Sequence, residues 1–233
     1  MNLRGKIIDL SQEIYNGMPV YPGHLKTVIF THLSHDECKR QLGTGFSYET
    51  SGLLICDHGP THIDSVSHLS RAPDAPSVDE IPLEHCITSA ICIDVSDVPR
   101  QGQFSAEKIE SELERWGLDI QAGDTILFYT GHYDQYYGTP EYMTHHPGLT
   151  RDATEYIIDE GAINFGVDCT SPDMLLDKTY PCHSVCAERE VTHIENLCNL
   201  DKLVGKRFTF VALPLKIRDG TGSPLRAAAV LDE

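Results

Sequence analysis

Two stretches of the chain, residues 90–95 and 125–129, are apolar almost throughout. A strand without a polar face has to be covered on both sides, which restricts the fold to a layered one. The segment between them supplies a cover: Ser105 can cap a helix in which Ile109, Leu113 and Trp116 recur at i, i+4 and i+7, and Gly117 ends the pattern. A second helix runs from Thr150 as cap through Ala153 and Ile157 to Gly161, and a strand pattern at 162–167 follows at once. Helix followed by strand, twice over, favours a layered α/β or α+β architecture over an all-β one. Short β-branched or aromatic runs bounded by turn residues add strands at 6–10, 27–31, 53–57, 207–213 and 227–231. The expected fold is therefore α/β, with a mixed, mostly buried β-sheet or small barrel flanked by helices.

No repeat, low-complexity tract or Ser/Gly linker divides the 233 residues, so 1–233 is expected to form a single domain. A chain of this length buries a core without a metal staple, and a metal site in it would serve chemistry rather than scaffolding. Lys and Arg number 18 against 35 Asp and Glu, and 18 − 35 = −17 opposes the attraction on which nucleic-acid binding depends. Nucleic acid and anionic membranes are excluded as partners. No apolar run approaches the roughly 20 residues of a membrane helix, and Asp9 interrupts the start before a signal stretch can form. A cytoplasmic protein is expected. The eight cysteines form no CxxC pair and several sit in apolar context, as reduced, buried thiols do.

The segment 56–68 carries the chemistry. His58, His62, Asp64 and His68 stand at offsets of 4, 2 and 4, all even. On an extended backbone such residues face one way, whereas a helix would swing Asp64 and His68 away from the first two. Gly59-Pro60 also argues against a helix interior, because proline lacks the amide donor. The motif is placed at a strand end running into a loop, bordered by the Pro-rich loop 69–85. Imidazole nitrogen with carboxylate oxygen suits Zn²⁺, Mn²⁺ or Fe²⁺, and three protein ligands leave positions open for water, the pattern of a catalytic ion.

These residues resemble a known signature. His58-Gly59-Pro60-Thr61-His62-Ile63-Asp64-Ser65-Val66-Ser67-His68 is similar to the HxGTHxDxPxH motif of the metal-dependent cyclase-family hydrolases, the family of bacterial kynurenine formamidase and isatin hydrolase. Pro60 stands where the pattern has Gly, and Val66 where it has Pro. Further blocks match in order: Asp9-Leu10-Ser11, Gly17-Met18-Pro19, Tyr129-Thr130-Gly131, Pro147-Gly148-Leu149, Asp168-Cys169-Thr170-Ser171-Pro172-Asp173, Ile194-Glu195-Asn196-Leu197 and Gly222-Ser223-Pro224-Leu225.

The resemblance implies a swivelling β/α/β-like fold, a divalent cofactor (Zn²⁺ or Mn²⁺, one or two ions) and a homodimer or homotetramer. It implies His58, His62 and Asp64 as ligands, with His183 and Glu195 completing a two-metal site in which Asp64 bridges. His193, His24, His32, His35 and His85 are read as structural, and His145 and His146 lie in a Pro-bounded loop. A bound cation makes water acidic enough to supply hydroxide near neutral pH, and the resemblance assigns His68 to general base and acid work. The reaction implied is hydrolysis of the carbon–nitrogen bond of an aryl formamide or lactam. Tyr21, Phe46, Tyr48, Tyr133, Tyr136 and Tyr137 are candidate walls for such a flat substrate, and His132, where relatives carry Trp, would make a polar wall. Three alternatives share the ligand set: an inert metal-binding module, a hydrolase of another small ester or lactone, and a mononuclear Fe²⁺ oxygenase. His68, dispensable for metal binding alone, speaks against the first.

Overall fold

The computed structural model describes residues 6–231; the first five residues, part of the opening read above for a signal stretch, lie outside it. In chain order the elements are β1 (Ile7–Asp9), β2 (Val28–Leu33), α1 (His35–Leu42), β3 (Thr50–Leu54), β4 (His62–Asp64), α2 (Val66–Leu69), β5 (Ile87–Asp94), β6 (Gln103–Phe104), α3 (Ala106–Trp116), β7 (Thr125–Tyr129), α4 (His132–Tyr136), β8 (Gly148–Leu149), α5 (Arg151–Asp159), β9 (Asn164–Val167), α6 (Pro181–Arg189), β10 (Thr192–Glu195), β11 (Lys206–Val211), β12 (Gly222–Pro224) and β13 (Ala228–Val230).

A nine-stranded sheet in the order β1-β13-β11-β5-β7-β9-β10-β4-β12 organises them. Its centre, β5, β7, β9 and β10, is parallel, and both wings are antiparallel. The two apolar strands of the sequence lie side by side in that centre, where both faces are covered. Ile91, Ile93, Ile126 and Phe128 pack under Ile109 and Leu113 of α3 and Ala153 and Ile157 of α5. The alternate residues Ala90, Cys92 and Leu127 face a second cluster built from the wings, with Ile63, Ile194, Phe208, Phe210 and Ala229. Because residues from both wings meet there, the sheet is curled into a half-barrel. Its interior takes small side chains: a Cβ on Gly166 would fall 2.7 Å from Leu197 Cδ1.

Both predicted helices occur. Ser105 precedes α3 and Gly117 ends it in the left-handed region at φ 64°, while the Thr150 hydroxyl accepts from the Ala153 amide at the start of α5. Expected strands recur with shifted ends, except that the one placed at 53–57 forms earlier, as β3. It pairs with β2 in a hairpin outside the main sheet. Several short elements escaped the sequence reading, among them α1, α6, β4 and β10. The last two are only three and four residues long, too short for a period to emerge. Among the described residues no helix is long and apolar enough to cross a membrane, and all eight cysteines are free, seven of them buried.

One close backbone approach bears on the site. Gly148 in β8 lies against the segment that carries Asp173, and the Leu149 amide donates to the Pro172 carbonyl at 2.8 Å. A Cβ on Gly148 would sit 2.7 Å from the Asp173 carbonyl carbon, backbone that cannot swing aside. Gly148→Ala is expected to lower unfolding stability by about 1–3 kcal/mol, as overpacking does. Urea denaturation checks this, and an unchanged midpoint would show that the contact is loose.

Candidate active site

The site is built on the pairing of β4 with β10. In the antiparallel register His62 stands opposite Glu195 and Asp64 opposite His193, with Ile63 opposite Ile194. Residues directly opposite share a face, and the face alternates along each strand. The isoleucines therefore enter the core, and all four polar side chains emerge on the other side. There they are nonetheless buried: Asp64 is 2% exposed and Glu195 6%.

His58 and His68 arrive from either end of β4. His58 sits in the turn where the Gly59 amide donates to the Cys56 carbonyl at 3.1 Å. His68 lies in the single turn of α2, its ring centroid 4.0 Å from that of His58 and its Nε2 3.7 Å from Asp64 Oδ2. The four motif residues thus converge as expected, but only His62 and Asp64 do so from a strand. Neither departure from the family pattern has a structural explanation of its own. The Pro60 carbonyl accepts from His62 Nδ1–H at 2.8 Å, and Val66 is the first residue of α2, where proline is favoured because its missing N–H would be unpaired anyway.

The hydrogen bonds assign the ring tautomers. His62 donates through Nδ1, so its Nε2 lone pair points at Asp64 Oδ1 (3.1 Å) and Glu195 Oε2 (3.5 Å). The Thr221 hydroxyl donates to Asp57 at 2.7 Å and accepts from His58 Nε2–H at 3.1 Å. His58 Nδ1 then faces Asp64 Oδ1 at 2.7 Å as a second lone pair. His183 comes from the first turn of α6, where both oxygens of Asp173 cap the helix, accepting from the Cys182 amide at 2.7 Å and the His183 amide at 3.1 Å. The same carboxylate accepts a hydrogen bond from His183 Nδ1–H at 2.5 Å. His183 Nε2 is left facing Asp64 Oδ2 (3.9 Å) and Glu195 Oε1 (3.8 Å).

Lone pairs aimed at carboxylate oxygens repel unless a cation lies between them, and a histidine fixed through its far nitrogen is the arrangement that metal ligands adopt. Two overlapping groups could hold an ion: Asp64, His183, His193 and Glu195, and His58, Asp64 and His68. The donor set therefore fits a divalent cation. Burial raises the Asp64 carboxyl, but the surrounding imidazoles of His193, His58 and His62 outweigh it and hold the group well below the usual carboxylate range. Burial lowers His68, and His58, His183 and His193 add to this against the pull of Asp64.

A cavity of about 380 Å³ opens over these groups, walled by Tyr21, Leu69, Leu175 and Tyr180. All six site residues named from the sequence border it. The structure also places the remaining histidines and aromatic residues. His193, read as structural, is fully buried within the cluster. His24 also lines the cavity, as does His146, whose Nε2 is buried without a hydrogen bond. His132 is no wall: it is buried, its Nε2–H donating to the Tyr142 carbonyl at 2.8 Å, and Tyr133 and Tyr137 pack around Tyr142. Of the proposed aromatic walls Tyr21 lines the cavity, whereas Phe46 and Tyr48 are exposed on the segment leading to β3. Asp173 was missed as a functional residue, although the Asp168–Asp173 block contained it. Its signal was a carboxylate shortly before a Pro-initiated helix bearing a histidine.

Comparison with known proteins agrees with this geometry. A family model described as "Putative cyclase" matches residues 8–174. An isatin hydrolase from Roseibium aggregatum is 27% identical over 194 residues, covering 77% of this chain and 73% of that protein. A kynurenine formamidase from Bacillus mycoides is 28% identical over 220 residues, covering 94% of this chain and 95% of that one. The structure of isatin hydrolase A from Ralstonia solanacearum superposes with a TM-score of 0.85 at 27% identity, covering 97% of this chain and 92% of its own. The matched span takes in the whole of β4 and α2 and extends past Asp173; the chain belongs to the cyclase family.

Proposed function

We propose that the chain is a metal-dependent hydrolase that cleaves the carbon–nitrogen bond of an aryl formamide or a cyclic amide. One observation carries the reading: the two buried carboxylates divide their oxygens between two sets of imidazoles. Asp64 Oδ1 and Glu195 Oε2 face His62, with His58 on the former; Asp64 Oδ2 and Glu195 Oε1 face His183. Such a layout would suit two adjacent cations that share the carboxylates. His58, His62 and Asp64 would hold one ion, and Asp64, His183 and Glu195 the other. Nitrogen and oxygen donors without thiolate suit Zn²⁺ or Mn²⁺.

A divalent cation bound there supplies Lewis acidity and a water that ionises near neutral pH. The chain's own residues manage protons and position. His68, at the cavity wall beside His58, accepts the proton of the attacking water as the carbon–oxygen bond forms. It returns that proton to the nitrogen as the carbon–nitrogen bond breaks, so that water is added across the amide. Tyr21, Tyr180 and Leu175 give the cavity flat, apolar walls, and the unpaired Nε2 of His146 offers a polar anchor. The names of the relatives point the same way, isatin being a cyclic amide and kynurenine formamidase being named for a formamide.

The reading extends to assembly and setting. Residues 1–233 act as one hydrolase domain. The hairpin β2–β3 exposes Val28, Phe30, Leu53 and Leu54, and Phe46 beside it is 67% exposed, an apolar patch of the kind that subunit contacts cover. A homodimer or homotetramer follows. Free cysteines throughout suit the reducing cytoplasm.

Two variants test the roles. In protein reconstituted with Zn²⁺ or Mn²⁺ and assayed with isatin and an aryl formamide, His68→Ala is expected to lose roughly 10²- to 10⁴-fold in turnover while keeping its metal; an undiminished rate would remove His68 from the chemistry. Asp173→Asn, which takes away the carboxylate holding the His183 Nδ1 proton, is expected to weaken metal binding by about 10- to 100-fold. Competition with a chelator measures that loss, and an affinity equal to wild type would reduce Asp173 to a helix cap.

A further inference from the structure

His193 stands outside the ligand set that the family resemblance implies, yet it lies at the centre of the cluster. It projects from β10 opposite Asp64, with Nε2 3.4 Å from Asp64 Oδ2 and 3.4 Å from Glu195 Oε1. His183 Nε2 approaches the same two oxygens at 3.9 and 3.8 Å, and its ring meets that of His193 edge-on, centroids 4.8 Å apart. Two nitrogens and two oxygens thus surround one point. In a tetrahedral zinc site with bonds of about 2.0–2.2 Å, neighbouring ligand atoms stand about 3.3–3.6 Å apart. The four nitrogen–oxygen distances lie at or a little above that spacing, and all four atoms fall within 4.8 Å of one another.

As a packing residue His193 is poorly explained. Its ring stacks on Phe165, centroids 5.5 Å apart, a place that an aliphatic side chain would fill equally well. Its Nδ1 is buried without a full hydrogen bond; the Cys186 thiol interacts with the ring, a weak partner for a buried polar atom. A proton on Nε2 could serve an ion pair with these oxygens, but His183 Nε2 converges on the same two, and a metal ion engages all four atoms at once.

We infer that His193 is a metal ligand and that Asp64 Oδ2, Glu195 Oε1, His183 and His193 form a closed, four-donor cation site. This deepens the hydrolase reading, on which it rests, by giving the two half-sites different work. Four protein donors saturate a tetrahedral ion, the pattern of a structural site, whereas an ion with three protein donors keeps a position open for water. The half-site of His58, His62 and Asp64 Oδ1, adjoining His68 and the cavity, is the one that receives water and substrate. The closed half-site fixes both carboxylates and offsets their charge.

Metal-stripped wild type and His193→Ala, each titrated with Co²⁺ and followed by visible absorption, separate the outcomes. Wild type is expected to take up two equivalents, one giving the intense bands of four-coordinate cobalt. His193→Ala is expected to lose those bands and bind that equivalent well over 100-fold more weakly, beyond the roughly 10- to 100-fold that loss of an outer partner produces. Two equivalents with unchanged bands and affinity in the variant would overturn the assignment and leave the hydrolase reading standing. A wild type that binds no Co²⁺ would overturn that reading and this inference with it. Should the variant fail to fold, wild-type crystals grown with Zn²⁺ decide: His193 Nε2 at about 2.0–2.1 Å from an ion upholds the assignment, and a ring turned away from every ion refutes it.

Discussion

Two carboxylates buried on one face of a single β-ribbon are the constraint from which the rest follows. Asp64 and Glu195 are almost wholly removed from water, and isolated buried anions cost several kcal/mol each unless compensated. Among the described residues the ion pairs on both are made by histidines. Where the hydrogen bonds fix the tautomer, at His58, His62 and His183, the far nitrogen is tied to Thr221, the Pro60 carbonyl and Asp173, which turns the lone pairs inward. A ribbon so arranged is balanced by positive charge at its centre, and divalent cations supply that charge most compactly.

The fold exists in service of that ribbon. The curled sheet buries Ile63 and Ile194 on the opposite face, so β4 and β10 cannot slip by one residue without exposing isoleucine and burying charge among aliphatic groups. Parallel β9 and antiparallel β12 flank the pair, and Asp173 locks the first turn of α6 over it. The Leu149–Pro172 hydrogen bond holds the Asp173 segment in turn. Each support acts through backbone geometry, which keeps imidazole positions fixed to within a rotamer.

Much of this was legible in the sequence. Long elements declared themselves: α3 through Ile109, Leu113 and Trp116 between Ser105 and Gly117, and the central strands through unbroken apolar runs. The even offsets of His58, His62, Asp64 and His68 led to a converging cluster, although His58 and His68 converge from a turn and a helical turn that spacing alone does not reveal. His183 and Glu195 came from family resemblance, since contact between α6 and a strand end depends on tertiary structure. His193 and Glu195, two apart, obey the same even-offset rule as the motif, but a four-residue strand gave no period from which to apply it. Asp173 was hidden for another reason: its work is to cap a helix and orient a ring, which a carboxylate ahead of a Pro-initiated helix signals only weakly.

The most direct test of the account is calorimetric titration of metal-stripped wild type and Asp64→Asn with Zn²⁺. If the shared carboxylate organises both half-sites, wild type binds two equivalents and the amide variant, folded by circular dichroism, binds neither tightly. Equal uptake by the two proteins would contradict the account at its root.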